Sequence, residues 1–317
     1  MSAAPLPPSD PEALQRALRT LETIILGKSD AVRLGLTCLL ARGHLLIEDV
    51  PGVGKTTLAH ALAQVLGLTW QRVQFTSDLL PADIIGVSVF DRAAQRFEFR
   101  PGPVFTQLLL ADEVNRASPR TQSALLEAME ERQVSVDGIA HALPDPFFVV
   151  ATQNPHEQLG TYALPESQLD RFLMRIELGY PDARHERQLL GEEDRRAVLG
   201  RTSAALNATG VLELQRAAAA VHVAAPLLDY VQALVAASRS RRDIRLGLSP
   251  RAAQGLVRAA RAWALIDGRS AAIPDDVQAV WSAVALHRLE LRQPGEADAP
   301  ARQRLVRTIL ESVPVPR

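Results

Sequence analysis

The chain of 317 residues has a single cysteine and only 4% aromatic residues. A lone thiol, Cys38, excludes an internal disulfide framework and a cysteine-based metal site, and it suits a reducing compartment. Cys38 sits in an apolar run, the setting of a small buried residue. So few rings leave little on which single-stranded bases could stack. An excess of either charge is missing too: 35 Lys and Arg face 36 Asp and Glu, for a formal net charge of −1. No overall field therefore draws the chain toward nucleic acid. The histidines His44, His60, His141, His156, His185, His222 and His287 lack metal-ligand spacing. No apolar stretch reaches the roughly 18 residues of a membrane helix. The opening MSAAPLPPSDP is proline-rich without a signal-peptide core, so it reads as a frayed tail. The expectation is a soluble, cytoplasmic protein of one large or two medium domains. Its 47% hydrophobic share is enough for a substantial core.

What is present is organised around residues 45–58, LLIEDVPGVGKTTL. A short apolar run, a glycine-bearing turn and Gly54-Lys55-Thr56 heading a helical segment make strand, phosphate loop, helix. Free backbone N–H groups at such a helix start receive phosphate oxygens. Asp49, Val50, Pro51, Gly52, Val53, Gly54, Lys55, Thr56 and Thr57 form the candidate nucleotide-binding segment. Lys55 would reach the β- and γ-phosphates and Thr56 would ligate Mg²⁺. The pattern G-x-x-x-x-G-K-[ST] wants glycine at position 49, where this chain has Asp49. An ordinary glycine–proline turn is the competing reading.

Upstream, leucine and isoleucine spacing predicts a helix over 12–25, and Ser29-Asp30 can cap a second, strongly apolar helix toward Ala41. The phosphate-loop helix should run to about Leu66, ended by Gly67. Residues 72–75 read as a short strand. Residues 87–90 and 96–99 alternate with period two around a polar turn, a hairpin signal. Residues 107–113 are an apolar run closing on Asp112-Glu113. That reads as a buried parallel strand with acids at its carboxyl end, the edge where open α/β sheets bind ligands. Ser118-Pro119 opens a helix through Glu131. A second hairpin is expected over 133–139, a buried strand over 147–152 ending in Gln153-Asn154, and a strand within 169–178. Beyond Gly179-Tyr180-Pro181-Asp182 strand signals vanish. Helices are expected near 183–190, 211–220, 226–238, 250–267, 274–291 and 301–311.

Phosphoryl transfer to water needs a phosphate cradle, a metal, a water-positioning group and positive charge for the transition state. Asp112, alongside Thr56, is the candidate holder of Mg²⁺, and Glu113 would polarise the attacking water. Two acids closing a buried strand are otherwise unfavourable, since an unpaired buried carboxylate is costly or changes its protonation. The plain alternative is that both face solvent.

With these residues in view, the chain resembles the MoxR-type AAA+ ATPases over about residues 21–291. The segments carrying the resemblance are DVPGVGKTTLA, FTSDLLPADIIG, LLLADEVNRASPRTQSALLEAMEERQV, ATQNP, LPESQLDRFLMR and LSPRA. The resemblance implies an AAA+ P-loop NTPase core of α/β class, with a parallel sheet flanked by helices and hairpin inserts, then a small all-α lid domain. It implies a tail with the start of the first helix at 1–20, a nucleotide-binding core at 21–180 and the lid at 181–317. Asp49 is a familiar replacement in such proteins. Lys55 and Thr56 resemble the Walker A pair, and Asp112 and Glu113 the Walker B pair. Asn154 resembles sensor 1, Arg171 the arginine finger that reaches a neighbouring subunit's nucleotide, and Arg251 sensor 2. By residue type alone Asn154 would be a turn residue, and the two arginines surface ion-pair partners. A trans-acting Arg171 requires an oligomer, and the resemblance implies a ring, usually a hexamer.

The expected function is hydrolysis of ATP, with Mg²⁺, at the β–γ phosphoanhydride bond by a chaperone-like remodeller or activator of protein complexes. The resemblance also implies a partner bearing a von Willebrand factor A domain. A nucleic-acid-dependent motor or loader is one alternative, and its relatives carry Lys or Arg on their pore hairpins. Residues 133–148 hold neither, only Asp137, Asp145 and His141. Residues 87–100 mix Arg92, Arg96 and Arg100 with Asp91 and Glu98, so nucleic acid is the disfavoured partner. A low-turnover nucleotide-gated switch is the third reading, but it leaves Glu113, Asn154 and Arg171 without a purpose. The basic run 239–245 reads as a solvated loop.

Overall fold

Five short segments, most of them strongly apolar, pair in parallel to make the sheet that positions everything else. The computed structural model describes residues 11–155, 160–191, 195–292 and 298–316, so the opening tail and His156 lie outside the described residues. Helices α1 (Pro11–Ile24) and α2 (Ser29–Leu40) precede strand β1 (Leu45–Glu48); α3 (Lys55–Val65), β2 (Trp70–Gln74) and the short α4 (Pro81–Ile85) follow. The insert hairpin is β3 (Gly86–Asp91) with β4 (Arg96–Pro101), and β5 (Leu108–Asp112) leads to α5 (Pro119–Glu131). A second hairpin, β6 (Gln133–Val136) with β7 (Ile139–Ala142), is followed by β8 (Phe148–Gln153), α6 (Glu166–Leu169) and β9 (Met174–Ile176). Ser29 and Asp30 lie inside the first turn of α2 instead of capping it, and Lys28 precedes the helix without a side-chain cap.

The sheet order is β2-β5-β8-β1-β9, with every neighbouring pair parallel. Alternate residues face opposite sides. Leu46, Leu109 and Val149 pack with Leu125, Leu126 and Met129 of α5. Leu45, Ile47, Leu110 and Val150 pack with α1, α2, α3 and the lid helices. β5 is buried along its whole length, as a parallel sheet covered on both faces requires. Because all strands run one way, the loop after Glu48, the acids ending β5 and Gln153-Asn154 after β8 come to a single edge.

After β9 come α7 (Ala183–Gly191), α8 (Arg195–Arg201), α9 (Ala208–Ala220), α10 (Ala225–Ser240), β10 (Ile244–Leu246), α11 (Pro250–Ile266), α12 (Pro274–Ala285), β11 (Glu290–Leu291) and α13 (Asp298–Ser312), the largely helical part that includes the lid. Helix α8 and the brief β10–β11 pair depart from expectation. The helix opened by Pro274 stops at Ala285, and Glu290–Leu291 pair antiparallel to β10. Three of the four arginines of the basic run are engaged at this corner, and Arg242 is exposed. Arg239 Nε donates to Leu248 O at 2.8 Å, Arg241 pairs with Asp243 at 2.9 Å, and Arg245 pairs with Glu290 and, at 3.4 Å, Glu166.

The lid is clamped to the stretch just before β9. Arg288 is buried and donates to Asp170 Oδ1 at 2.6 Å and to the carbonyls of Phe172 (2.6 Å), Leu173 (3.0 Å) and Asp170 (3.2 Å). Ser249 donates to Asp170 Oδ2 at 3.1 Å. His287 Nε2 meets Phe172 O at 3.0 Å, and burial holds this imidazole neutral by pushing its pKa well down. A second junction lies at the end of α3. Gly67, at φ +61°, closes that helix with Leu68 N donating to Ala63 O (2.9 Å) and Gly67 N to Gln64 O (3.2 Å). A Cβ at Gly67 would lie 2.4 Å from Leu206 O. Gly67→Ala is therefore expected to lower stability by about 1–3 kcal/mol, read as a lower urea midpoint in equilibrium unfolding. An unchanged midpoint would show that the Leu206 linker yields freely.

Candidate nucleotide site

The loop between β1 and α3 has the backbone that an anion cradle needs. Gly52 (φ +85°) and Gly54 (φ +100°) sit in the left-handed region, and a Cβ on either would meet nothing within 4 Å. Conformation, not crowding, thus requires glycine there, and the approach to the loop is unobstructed. Gly54 is the N-cap of α3, and Lys55, Thr56 and Thr57 form its first turn. The Lys55 ammonium donates to the carbonyls of Asp49 (2.5 Å) and Val50 (3.2 Å).

Asp49, at the position where glycine was expected, has a defined task. Its Oδ1 accepts from Val50 N (2.8 Å), and its Oδ2 accepts from Leu178 N and Gly179 N (2.6 Å each). The carboxylate is buried and turned onto backbone. Asp49 therefore ties the loop to the end of the β9 segment, and its side chain is not aimed at the cradle.

Next along the edge, Asp112 and Glu113 neither face solvent freely nor lie unpaired. Asp112 Oδ1 accepts from the Thr152 hydroxyl (2.6 Å), and Oδ2 accepts from Arg72 Nη2 (2.6 Å) and Nε (3.1 Å). Glu113 has a left-handed backbone (φ 56°). Its N–H donates to Thr152 Oγ1 at 2.8 Å, and its Oε2 accepts from Gln74 (2.8 Å) and Arg116 (2.9 Å). Asn154 is buried one residue beyond β8, where Asp49 N donates to Gln153 O at 3.2 Å. The hydroxyl of Thr56 and carboxylate of Asp112 are hard oxygen donors of the kind Mg²⁺ takes, with most of its waters retained. Asp112 Oδ1, which accepts only from Thr152, keeps a further lone pair for a metal-bound water, whereas both sites of Oδ2 are taken by Arg72. The donor set fits.

Arg171 and Arg251 lie elsewhere. Arg171 precedes β9 and is on the amino side of the sheet, beside Gly43 and His44 at the start of β1. From Gly43 to Asp49 the extended chain spans roughly 20 Å at about 3.3 Å per residue. Both arginines pair with one carboxylate: Glu130 Oε2 with Arg171 at 2.8 Å and Oε1 with Arg251 at 2.9 Å. Arg171 also donates to Leu126 O at 2.7 Å. Sequence reading missed Arg72, Gln74, Thr152 and Glu130. The available signal was Arg72 and Gln74 alternating on a strand beside the acids, and a threonine inside the apolar run 147–152.

Comparison with known proteins agrees with this architecture. The model of the ATPase family associated with various cellular activities (AAA) matches residues 44–174, and an AAA lid domain model matches residues 236–309. The chain is 43% identical to YeaC of Bacillus subtilis, covering 96% of this chain and 95% of that protein. It is 41% identical to the chaperone MoxR1 of Mycobacterium tuberculosis, covering 96% and 82%. A crystal structure of a putative ATPase from Cytophaga hutchinsonii superposes with a TM-score of 0.85 at 34% identity, covering 97% and 96%.

The Asp49 clamp yields a test. Asp49→Ala would leave the N–H groups of Leu178 and Gly179 without their acceptor, at a cost of about 1–3 kcal/mol. Urea unfolding should show that loss, and ATP affinity should fall with it as the loop loosens. A variant with unaltered stability would mean that water replaces the carboxylate.

Proposed function

The chain belongs to the MoxR-type AAA+ ATPases, and from that premise we propose that it hydrolyses ATP at the β–γ phosphoanhydride bond to remodel or activate protein complexes. In this reading the core at 21–180 binds the nucleotide and the lid at 181–317 carries residues toward a neighbour, with a tail at 1–20. Residues 49–57 wrap the polyphosphate, with loop N–H groups and the Lys55 ammonium on its oxygens. Thr56 and Asp112 hold Mg²⁺, which when bound neutralises phosphate charge. Glu113 orients and polarises the attacking water, and Asn154 fixes that water from β8. Thr152 keeps both acids in place, one through its hydroxyl hydrogen and the other through its oxygen.

What supports the reading is the division of the chemistry between two edges. The loop, the acids and Asn154 share the carboxyl edge, whereas Arg171 and Arg251, joined by Glu130, share the amino edge. Arginines so placed serve the nucleotide of an adjacent copy, which calls for a ring, a hexamer by family likeness. A protein substrate is favoured by the hairpins. Val87, Phe90, Phe97 and Ile139 are exposed on them, and Phe99 stacks on His141 at 3.9 Å to join the two. Protruding apolar side chains suit protein better than phosphate. A partner with a von Willebrand factor A domain and a cytoplasmic setting complete the proposal.

Lys55→Ala and Glu113→Gln should each abolish ATP turnover, and turnover surviving both would sink the mechanism. Arg171→Ala should lose about 10³–10⁵ in rate. Mixed with Lys55→Ala chains, which bring an intact Arg171, it should regain activity. No recovery on mixing would place Arg171 in service of its own nucleotide.

A further inference from the structure

A cavity of about 300 Å³ opens at the amino edge, and six arginines line it: Arg42, Arg132, Arg171, Arg251, Arg258 and Arg288. Five have carboxylates. Arg42 and Arg132 pair with Asp145 (3.0 and 3.7 Å), Arg171 and Arg251 with Glu130, and Arg288 with Asp170. Arg258 has no ion pair and no side-chain hydrogen bond among the described residues. Its guanidinium pKa is pushed down, first by desolvation from the cavity wall and then by Arg251. His44, also in the wall, brings no compensating or added charge at neutral pH. Its Nδ1 accepts from Val149 N at 3.0 Å, and burial lowers its pKa to about 4.

Arg258 lies seven residues after Arg251 on α11, two turns along and on the same face. Arg258 is exposed, so water solvates its guanidinium in an isolated protomer, but it lines the same cavity as Arg251 and Arg171 without a carboxylate of its own and is open to an anion presented from outside. We propose that Arg258 is a third trans-acting arginine, binding the polyphosphate of the nucleotide held by the adjacent copy together with Arg171 and Arg251. Glu130 is then the internal anion that holds the latter two in place of a phosphate, since a carboxylate and a phosphate both bridge paired guanidiniums. The inference rests on the trans reading of Arg171.

The test uses full-length chains at protein concentrations where turnover per chain has stopped rising. Arg258→Ala, and Arg258→Gln to preserve bulk, should lower kcat by about tenfold or more, the rate equivalent of one lost hydrogen bond to a charged group. Their unfolding midpoints should stay close to the parent's, because Arg258 is exposed and makes no ion pair or side-chain hydrogen bond among the described residues. Addition of Lys55→Ala chains should restore turnover. Three results overturn the inference: kcat within about twofold of the parent, a loss that mixing does not restore, or a loss confined to a higher protein concentration for assembly. The last would assign the missing anion to a neighbour's acidic side chain. Arg171→Ala with Lys55→Ala, run in parallel, separates the two levels. If Arg171→Ala is rescued while Arg258 variants behave as the parent, only this inference falls; if Arg171→Ala is not rescued, the trans reading falls.

Discussion

The structure turns on a buried guanidinium. Arg288 is removed from water at the lid–core junction, and a buried cation is tolerable only when its donors are met. They are met by Asp170 and by the carbonyls of residues 170, 172 and 173, the residues that bracket Arg171. Hydrogen bonds to a charged donor are stronger than neutral ones, so lid and core are held as one body here. Two consequences follow from the same contact. Helix α11 is carried to the amino edge with Arg251 and Arg258, and the backbone around Arg171 is held from both sides by a lid residue. The placement of Arg171, whose guanidinium is bound by Glu130 and Leu126 O, thus depends on a second cation held at the lid–core junction.

At the opposite edge, strand order does comparable work. β5 lies between β2 and β8, so acids at its end can draw neutralising partners from both neighbours. Register puts Gln74 directly opposite Asp112, with Arg72 two residues back on the same face. From the other side comes Thr152, donating to Asp112 and accepting from Glu113 N. Glu113 sits at a positive φ that costs on the order of 1–3 kcal/mol for a residue with a Cβ. That cost is offset by the Thr152 contact and by Gln74 and Arg116 on its carboxylate.

The legible features were those written in contiguous residues. The phosphate loop, the apolar run ending in Asp112-Glu113, Ser118 as a cap, Gly67 as a helix stop and both hairpins are local patterns, and the fold carries each of them. The illegible ones are partnerships across sequence. Gln74 meets Glu113 from 39 residues away, and Arg251 meets Glu130 from 121 away. Nothing in the run 125–132 distinguishes Glu130 from Glu127 or Glu131 until α5 is packed. β10 and β11 escaped because strands of three and two residues have no measurable alternation, and their pairing rests on Arg245 with Glu290. Asp49 is the instructive mixed case. Its departure from glycine was visible, but its role as an acceptor for Leu178 and Gly179 needed β9 alongside β1.

A net charge of −1 conceals how unevenly charge is distributed. The amino-edge cavity gathers six guanidiniums around three carboxylates, while Asp112 and Glu113 mark the carboxyl edge. Whole-chain neutrality argues only against long-range attraction to a polyanion, since screening acts over about 10 Å at moderate salt. It says nothing about a confined site. A cavity of about 300 Å³ walled by α5, α11 and the segment before β9 has room for a phosphate group, whereas a groove following a nucleic-acid backbone would need an open, extended stripe of cations. The pocket lies an entire strand length from the phosphate loop of its own chain, so its cations and that loop do not meet within one protomer.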